Sequence, residues 1–503
     1  MTLQLATWRE LPGTGRLVEG HRPWPRVIVD AEVWQAATED VAAGRWSLAG
    51  LWGDVDAAHM ALLHGSEIAV LSIACPDRHF PSVGLRHPPA VRLERCIADL
   101  FGLIADGAAD TRPWLDHGRW GVSHPLGAGG RSERPVSYSF LAAEGEGIHQ
   151  IPVGPVHAGI IEPGHFRFHA NGEAVVRLEA RLGYAHKGVE RLMQGETVAD
   201  AAQLAGRVSG DSCVAYAIAF ARAVEVALGV EAPPRAAWLR GVMAEMERLA
   251  NHLGDIGAIC NDAAFALMLA HMGALRERVL RTADACFGHR LMRDRVVPGG
   301  VAVDLDASKI AMLTALLKEI MERLPALVTL YDETASLQDR TVGTGRLAPA
   351  LALQFGAGGF VGRASGRDFD TRHDLPYPPY DTLSFEVPVL EEGDVNARVW
   401  IRIREVQQSV SLMEQMLSCL PDGPLRVTLP LRAGEGLAMV EGFRGDVLAW
   451  VRLDAEGRLL RCHLRDPSWF QWPLLEAAIE GNIVADFPLC NKSFNCSYSG
   501  CDL

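Results

Sequence analysis

Residues 152–193 read PVGPVHAGIIEPGHFRFHANGEAVVRLEARLGYAHKGVERLM, and they constrain the architecture more than any other stretch. Between Gly164 and Tyr184, strand-forming residues flank Asn171-Gly172, a dipeptide typical of a type I′ turn, so we predict a β-hairpin. The segments that follow are rich in Ala and Leu and have helical spacing with few breakers, over residues 187–290, 306–339 and 397–420. They predict a helical bundle after the hairpin.

The regions on either side of the bundle predict strands and a domain boundary. Short apolar runs separated by Gly, Asp and His between residues 24 and 75 indicate a compact α+β unit, and residues 436–460 alternate like paired strands. The composition of residues 121–147 shifts to Gly, Ser, Pro and Arg, which is typical of a linker. We therefore predict an α+β protein with a small N-terminal domain at 1–120, a linker at 121–150 and a larger domain at 151–503.

Composition limits the possible partners. The chain has 503 residues, 49% of them hydrophobic, and a net charge of −14, which disfavours general binding to nucleic acid or anionic lipid. Its apolar stretches fall short of the roughly 20 residues of a membrane span, so we expect membrane contact only through partners. The N-terminus lacks the pattern of a secretory signal, and we expect the chain to stay in the cytoplasm.

The ten cysteines contain no Cys-x-x-Cys pair, which argues against a zinc ribbon or a ferredoxin cluster. Three of them nevertheless lie close together near the C-terminus, namely Cys490, Cys496 and Cys501. Counted alone, this crowding suggests a metal site.

Several motifs in one order resemble a known family. Residues 80–120 contain FPSV, LERCIADLFGL and RPWL, and are similar to the accessory hydrophilic (30-kDa-like) subunit of respiratory complex I. The hairpin with its GYAHKGVE helix, residues 362–389 and residues 440–447 resemble the catalytic large (49-kDa-like) subunit shared by complex I and the group 4 membrane-bound nickel-iron hydrogenases. The resemblance implies two fused subunits and a hydrogenase-large-subunit-like domain with a central helical bundle and peripheral β-hairpins.

The family's nickel ligands are missing from this sequence. Nickel-iron hydrogenases hold their metals with four thiolates, a ligand type suited to soft redox metals. In RVSGDSC (207–213), Ser209 and Ser212 stand at two of these positions, and Ser497 and Gly500 fall on the other two. Nickel-iron is therefore not expected. Three cysteines each lie one residue from a lost ligand, and they are either a displaced metal or redox site or ordinary buried thiols: Cys213, Cys496 and Cys501.

Complex I instead binds a quinone headgroup in this cavity, between a hairpin histidine and a tyrosine. The tyrosine position falls on Gly210, whereas His157 and His165 both remain as candidates for the histidine. A histidine that titrates near neutral pH can protonate a reduced quinone, although a loop histidine without a role is an equally good interpretation.

Other polar residues acquire roles by the same resemblance. Glu162 is similar to the hydrogenase glutamate that relays protons, and a carboxylate beside a buried cavity would have a raised pKa. Arg444 is similar to the arginine above the hydrogenase metal site, and Arg207 and Arg363 could add positive charge around an anionic ligand. Asp381 matches a buried family acid. The alternative for each is a structural role as a cap or a salt-bridge partner.

The resemblance also implies partners. The chain has no ligand set for an iron–sulfur cluster, so electrons would come from a 4Fe-4S cluster in a small partner subunit, with antiporter-like subunits forming a membrane arm. We therefore expect a large subunit of an energy-converting oxidoreductase complex at the cytoplasmic side of the membrane, passing electrons to a quinone or another small acceptor and coupled to proton or ion movement. The alternatives are a hydrogenase with displaced cysteine ligands and a non-catalytic structural or coupling subunit.

Overall fold

The computed structural model describes residues 13–131, 137–159 and 161–503. Its N-terminal part is the predicted α+β unit. A five-stranded sheet runs in the order β1-β3-β6-β5-β4, and two helices pack on one of its faces. The elements are β1 (Arg16–Leu17), β2 (His21–Arg22), β3 (Arg26–Val29), α1 (Ala31–Ala42), β4 (Ser47–Gly53), β5 (Ala57–His64), β6 (Glu67–Ala74), β7 (His79–Pro81), a 3-10 turn (Pro88–Ala90), α2 (Val91–Phe101) and β8 (Ile104–Asp106).

The hairpin predicted from the sequence is confirmed, but the predicted type I′ turn is wrong. The strands of this region are β9 (Val122–Ser123), β10 (Gly130–Arg131), β11 (Ile148–Val153), β12 (His165–Asn171) and β13 (Ala174–Arg181). Strands β12 and β13 pair antiparallel, with Asn171 opposite Ala174. In this turn only Gly172 has a positive φ, at +58°, whereas type I′ requires two such residues.

The helical bundle is confirmed in the three predicted segments. Its elements are α3 (Val189–Met193), α4 (Val198–Ala205), α5 (Cys213–Leu228), α6 (Pro234–Asp262), α7 (Ala266–Phe287), β14 (Val296–Val297), β15 (Gly300–Val301), α8 (Ala307–Glu333), α9 (Ala335–Thr341), α10 (Pro349–Gln354), α11 (Gly359–Arg363), α12 (Thr371–Asp374), a 3-10 turn (Tyr380–Thr382) and α13 (Val395–Ser418). Within the described ranges, no helix is long and apolar enough to cross a membrane.

The predicted C-terminal strands are also confirmed. They are β16 (Gly434–Gly442), β17 (Gly445–Leu453) and β18 (Leu459–Arg465), followed by α14 (Ser468–Ala478), a 3-10 turn (Val484–Asp486), α15 (Phe487–Phe494) and α16 (Tyr498–Asp502). Strand β2 from the N-terminal region pairs parallel with β16, so the sheet order is β18-β17-β16-β2.

The two larger sheets pack face to face. Successive side chains of a strand point to opposite faces. In β4, Leu51 therefore faces the core with α1 and α2, while its neighbour Trp52 packs toward Leu437 and Trp450 of the C-terminal sheet. The ring centroids of Trp52 and Trp450 lie 5.7 Å apart. Because both faces of β4 to β6 are buried, these strands read as continuous apolar runs.

Candidate functional site

Two side chains of α6 hold the segment that carries the first motif. Glu247 accepts hydrogen bonds from the backbone N–H groups of Val214 (2.7 Å) and Ala215 (3.0 Å), and so caps the start of α5. Asn251 donates to the backbone carbonyl of Asp211 at 2.8 Å. Residues 207–213 are thus fixed just before the helix.

The structure brings the first and last motifs together. The hydroxyls of Ser209 and Ser497 are hydrogen-bonded at 2.9 Å, although 288 residues separate them in the chain. Ser497 is the N-cap of α16, where its side-chain oxygen accepts from the N–H of Gly500 at 2.9 Å. Ser209, Ser212 and Ser497 are all buried. We call these three serines and Gly500 the serine cluster.

Gly500 leaves no room for a side chain. A Cβ atom on this residue would lie 2.6 Å from the Cγ atom of Asp466 and 2.9 Å from the Ser497 hydroxyl. Asp466 cannot easily retreat, because it accepts hydrogen bonds from the Tyr216 hydroxyl (2.7 Å) and the Ser468 N–H (2.8 Å). A cysteine at position 500 would therefore collide with a fixed, buried carboxylate.

Arg444 reaches the cluster from the tight turn between β16 and β17, which we call the Arg444 turn. Its loop is Phe443-Arg444, with Gly442 paired to Gly445. A Cβ on Gly359 would meet the Arg444 carbonyl, and Gly359 has φ of +61°, so only glycine lets α11 approach this closely. The glycine-rich segment around residue 359 therefore packs against the Arg444 turn.

The guanidinium of Arg444 forms an ion pair with Asp211. It donates to both carboxylate oxygens, at 2.6 and 2.5 Å, and also contacts the Ser212 hydroxyl at 3.2 Å. Burial alone would raise the pKa of Asp211. The positive charge of Arg444, its hydrogen bonds and a hydrogen bond from Ser209 instead lower the pKa to about 2. Asp211 is therefore ionised at neutral pH and neutralises Arg444.

The displaced cysteines are buried, protonated thiols. Burial raises the pKa of Cys213 to about 11, and it also raises the pKa values of Cys496 and Cys501. Across residues 13–131, 137–159 and 161–503, no three His, Cys, Asp or Glu side chains converge into a metal-binding group. Neutral hydroxyls stand where thiolates are needed and the fourth position has no space, so this donor set does not fit a nickel-iron centre.

Two of the predicted arginines and one acid lie outside the serine cluster. Arg207 was predicted as a cofactor-binding residue, and in the structure it is partly exposed and pairs with Asp294 through two bonds of 2.8 Å. Asp381 is exposed at a separate cavity beside Tyr380, not buried as the resemblance implied.

Arg363 was also expected near an anionic ligand, and in the structure carboxylates of the protein surround it. It donates to Glu405 at 2.8 and 2.9 Å and to Glu441 at 2.9 Å. It belongs to a buried ion network formed by Arg248, Arg363, Arg372, Glu245, Asp370, Glu405 and Glu441. In this network Arg248 donates to the backbone carbonyls of Glu441 and Gly442, each at 2.9 Å, and so supports the Arg444 turn.

The candidate histidines lie in the hairpin region and do not contact the serine cluster. The ring of His157 is 2.8 Å from the Gly164 carbonyl, inside the loop. His165 lies on the face of β12 that packs on Phe140, with ring centroids 5.0 Å apart, whereas Phe166 on the opposite face packs toward Tyr498. His165 therefore points away from α16.

Glu162 does contact the last motif. It accepts a hydrogen bond from the Ser499 N–H at 3.1 Å, but it is exposed rather than enclosed. Next to it, burial raises the pKa of Asp502 to about 7, and the negative charge of Glu162 contributes to that rise. Asp502 accepts from the N–H groups of Gly183 and Ala185, both at 2.8 Å, which ties α16 to the GYAHKG motif.

A cavity of about 250 Å³ adjoins the first motif, and we call it the Asp211 cavity. Gly210 and Asp211 lie at one end, and Met246, Leu280 and Leu291 supply apolar wall. Glu247 also lines it, and burial raises the pKa of that carboxyl to about 8 despite two backbone hydrogen bonds. The cavity therefore combines apolar surface with a carboxyl group that can hold a proton near neutral pH.

Sequence reasoning missed several neighbours of the predicted site residues. Asp211, Glu247, Asp466 and Asp502 were not predicted, and all four adjoin a predicted motif. Asp211 stands inside RVSGDSC, where an acid between two serines was an available signal. The other three lie far away in sequence from the groups they contact, and no local pattern marks them.

Comparison with known proteins identifies the family. The model of the 49-kDa subunit of respiratory-chain NADH dehydrogenase matches residues 262–432 and 426–503, and the nickel-dependent hydrogenase model matches residues 187–254. Formate hydrogenlyase subunit 5 of Escherichia coli (strain K12) is 32% identical over 438 residues, which cover 84% of this chain and 77% of the relative. The chain therefore belongs to the family of large subunits shared by membrane-bound hydrogenases and complex I.

Two further similarities define the class more closely. A subunit of the NADH-quinone oxidoreductase of Dehalococcoides mccartyi is 31% identical over 343 residues, covering 66% of this chain and 92% of the relative. A chain of the membrane-bound sulfane sulfur reductase, an archaeal respiratory membrane complex, superposes with a TM-score of 0.67 at 28% identity, covering 71% of this chain and 99% of that one. The protein is thus an oxidoreductase subunit of the energy-converting respiratory complexes.

Proposed function

We propose that this chain takes electrons from an iron–sulfur cluster in a partner subunit and passes them to a quinone or another small acceptor without nickel. One observation carries the proposal. The four positions that bear thiolates in nickel-iron hydrogenases come together here as hydrogen-bonded hydroxyls and a glycine, beside the Arg444–Asp211 ion pair. Such a site can bind and protonate an organic acceptor, but it offers nickel no thiolate.

The Asp211 cavity favours the proposal of a small organic acceptor. Its apolar walls suit an organic ring, and the donors and acceptors at its edge could orient a carbonyl group. Glu247 could protonate a reduced acceptor, because its raised pKa keeps a proton on the carboxyl near neutral pH. Glu162 and Asp502 form a second candidate proton relay beside α16.

The proposed partners follow from the family. The electron donor is a small subunit with a 4Fe-4S cluster, and antiporter-like subunits of a membrane arm would couple electron transfer to proton or ion movement. On this proposal the chain lies at the cytoplasmic side of the membrane, attached through these subunits. The name of the relative from D. mccartyi includes a quinone, which favours a quinone as the acceptor here.

We also propose that the chain is a fusion, with an accessory domain at 1–120, a linker at 121–150 and the large-subunit domain at 151–503. The different lengths of the matches support this. The match to formate hydrogenlyase subunit 5 covers 84% of the chain, whereas the match to the quinone oxidoreductase relative covers only 66%. The difference is of the size that an added N-terminal domain would produce.

Substitutions at Gly210 test the acceptor site. This residue is exposed, and a Cβ there would meet no atom within 4 Å, so a side chain can be added without a clash at Cβ. In the purified membrane complex we expect Gly210→Tyr to lower the KM for a short-chain quinone, because the hydroxyl adds a hydrogen-bond donor. Gly210→Phe is the matched control, and it should not lower the KM.

The result also separates the alternatives. Equal loss of electron transfer in the Tyr and Phe variants would indicate an acceptor that is not quinone-like. Unchanged KM and kcat in both variants would contradict the proposal and favour a non-catalytic coupling subunit.

A further inference from the structure

A second cavity, on another side of α5 and α6, has features that electron transfer does not explain. It has a volume of about 440 Å³ and lies between these helices and residues 377–381. Much of its wall is apolar, from Ile218, Val226, Val230, Ala237 and Pro379. Two cationic side chains line it, Arg222 of α5 and Arg240 of α6, and we call it the Arg222 cavity.

Arg222 has no hydrogen-bond or ion-pair partner among the residues that the structure describes. Its Nε atom is buried and unpaired, and its guanidinium lies 4.5 Å from the ring centroid of Tyr377. Its neighbour Arg240 is the opposite case. That guanidinium bonds to both oxygens of Glu225 (2.5 and 3.0 Å) and also donates to the carbonyls of Val297 and Gly300.

Two buried side chains on the cavity lining that could accept from Arg222 already have other partners. Both oxygens of Glu225 bind Arg240, and Oε1 also accepts from the Gly299 N–H at 2.7 Å. The Tyr380 hydroxyl donates to Glu245 at 2.6 Å. A buried N–H group without an acceptor, such as the Nε of Arg222, is costly, and burial lowers the pKa of Arg222. A ligand in the cavity would supply the missing acceptors.

We propose that the Arg222 cavity binds a small organic monocarboxylate, with its carboxylate on the Arg222 fork and its apolar body along the cavity wall. A guanidinium fork matches the two oxygens of a carboxylate, and the apolar wall suits a short carbon chain. Two exposed acids on the lining, Glu231 and Asp381, repel additional negative charge. The cavity therefore selects monoanions over dianions.

The test uses butyrate as the probe and isothermal titration calorimetry of the purified membrane complex. We expect butyrate to bind, succinate to bind more weakly, and Arg222→Leu to weaken butyrate binding by at least about tenfold through loss of the charged bidentate contact. Arg281→Leu removes an exposed arginine of α7 and is the matched control, with unchanged binding. No butyrate binding to the wild type, or equal binding to the Arg222→Leu variant, would overturn the proposal.

Melting temperatures test the proposal independently of the heat of binding. Without ligand, Arg222→Leu should melt at a higher temperature than the wild type, because the substitution removes a partly buried charge whose Nε atom has no acceptor. Butyrate should raise the melting temperature of the wild type alone. A destabilised variant together with no shift by butyrate would contradict the site. Electron transfer to quinone is measured separately, so the failure of either proposal is distinguishable.

Discussion

The serine cluster and the buried ion network meet at the Arg444 turn, yet their polar groups differ. In the network, each of the four carboxylates pairs with at least one arginine, and all seven side chains are buried. In the cluster, the neutral hydroxyls of Ser209 and Ser497 bond to each other, and the single Arg444–Asp211 ion pair lies beside them. This difference indicates that the charges supporting the Arg444 turn are structural, whereas the serine cluster, which we propose occupies the positions of the family's metal ligands, has only neutral hydroxyls to offer.

The largest expected effect is on stability, in the network. Arg363→Met would leave Glu405 and Glu441 without their main partner, and we expect a loss of about 3–5 kcal/mol in the free energy of unfolding. Chemical denaturation measures this loss. Arg281→Met, which alters an exposed pair on α7, is the control and should change stability by less than about 1 kcal/mol.

If the ion network tolerated Arg363→Met, the contrast between a structural network and the serine cluster would not hold. Stability equal to that of the Arg281→Met control would show that the charges near the Arg444 turn are not structural. They would then be candidates for proton or ligand chemistry.

The next effect concerns Gly500. Alanine normally stabilises a helix relative to glycine, but a Cβ at this position would lie 2.6 Å from the Cγ atom of Asp466. We therefore expect Gly500→Ala to destabilise the protein by about 1–3 kcal/mol, as overpacking does. Ser497→Ala removes one hydroxyl without adding atoms and should cost about 1 kcal/mol. Thermal denaturation of both variants gives the order, and a neutral Gly500→Ala would show that the position still has room for a thiolate.

The last effect is a pH dependence of stability at Glu247, which appears as a slope with pH rather than as a difference at one pH. Burial raises the pKa of this carboxyl from an ordinary value of 4.5 to about 8, so the folded state binds its proton more tightly than the unfolded state. Its contribution to stability is greatest below pH 4.5 and is lost as the pH rises toward about 8. We expect the stability of the wild type to fall with pH across this range and the stability of Glu247→Gln not to show this fall. Denaturation midpoints of the two proteins, measured at several pH values, check the difference. An identical slope in both proteins would show that Glu247 is ionised in the fold.

The fold could be predicted where local patterns determine it. The β12–β13 hairpin, the bundle helices and strands β16 to β18 all follow from periodicity and turn residues within short windows. The type of the turn at Gly172 could not be predicted, because the register of β12 against β13 decides which two residues form the loop. The position of β2 beside β16 was also not predictable, since it joins segments more than 400 residues apart.

The candidate site was predicted only in part. Ser209 and Ser497 were placed together by motif position, and the structure brings their hydroxyls within 2.9 Å. Arg207, Arg363 and Arg444 have the same chemistry and all pair with acids of the chain, and sequence alone could not show that Arg444 is the one of the three that contacts the serine cluster. The ion pair of Arg444 with Asp211 and the contact of Gly500 with Asp466 depend on tertiary packing, which no local pattern encodes.

Electron transfer without nickel is tested most directly by the nickel content of the purified membrane complex, measured by inductively coupled plasma mass spectrometry. We predict no stoichiometric nickel in a preparation that still reduces quinone, because hydroxyls and Gly500 replace the four thiolates. One nickel per chain would contradict this prediction, and would show that the buried cysteines beside the serine cluster act as ligands after all.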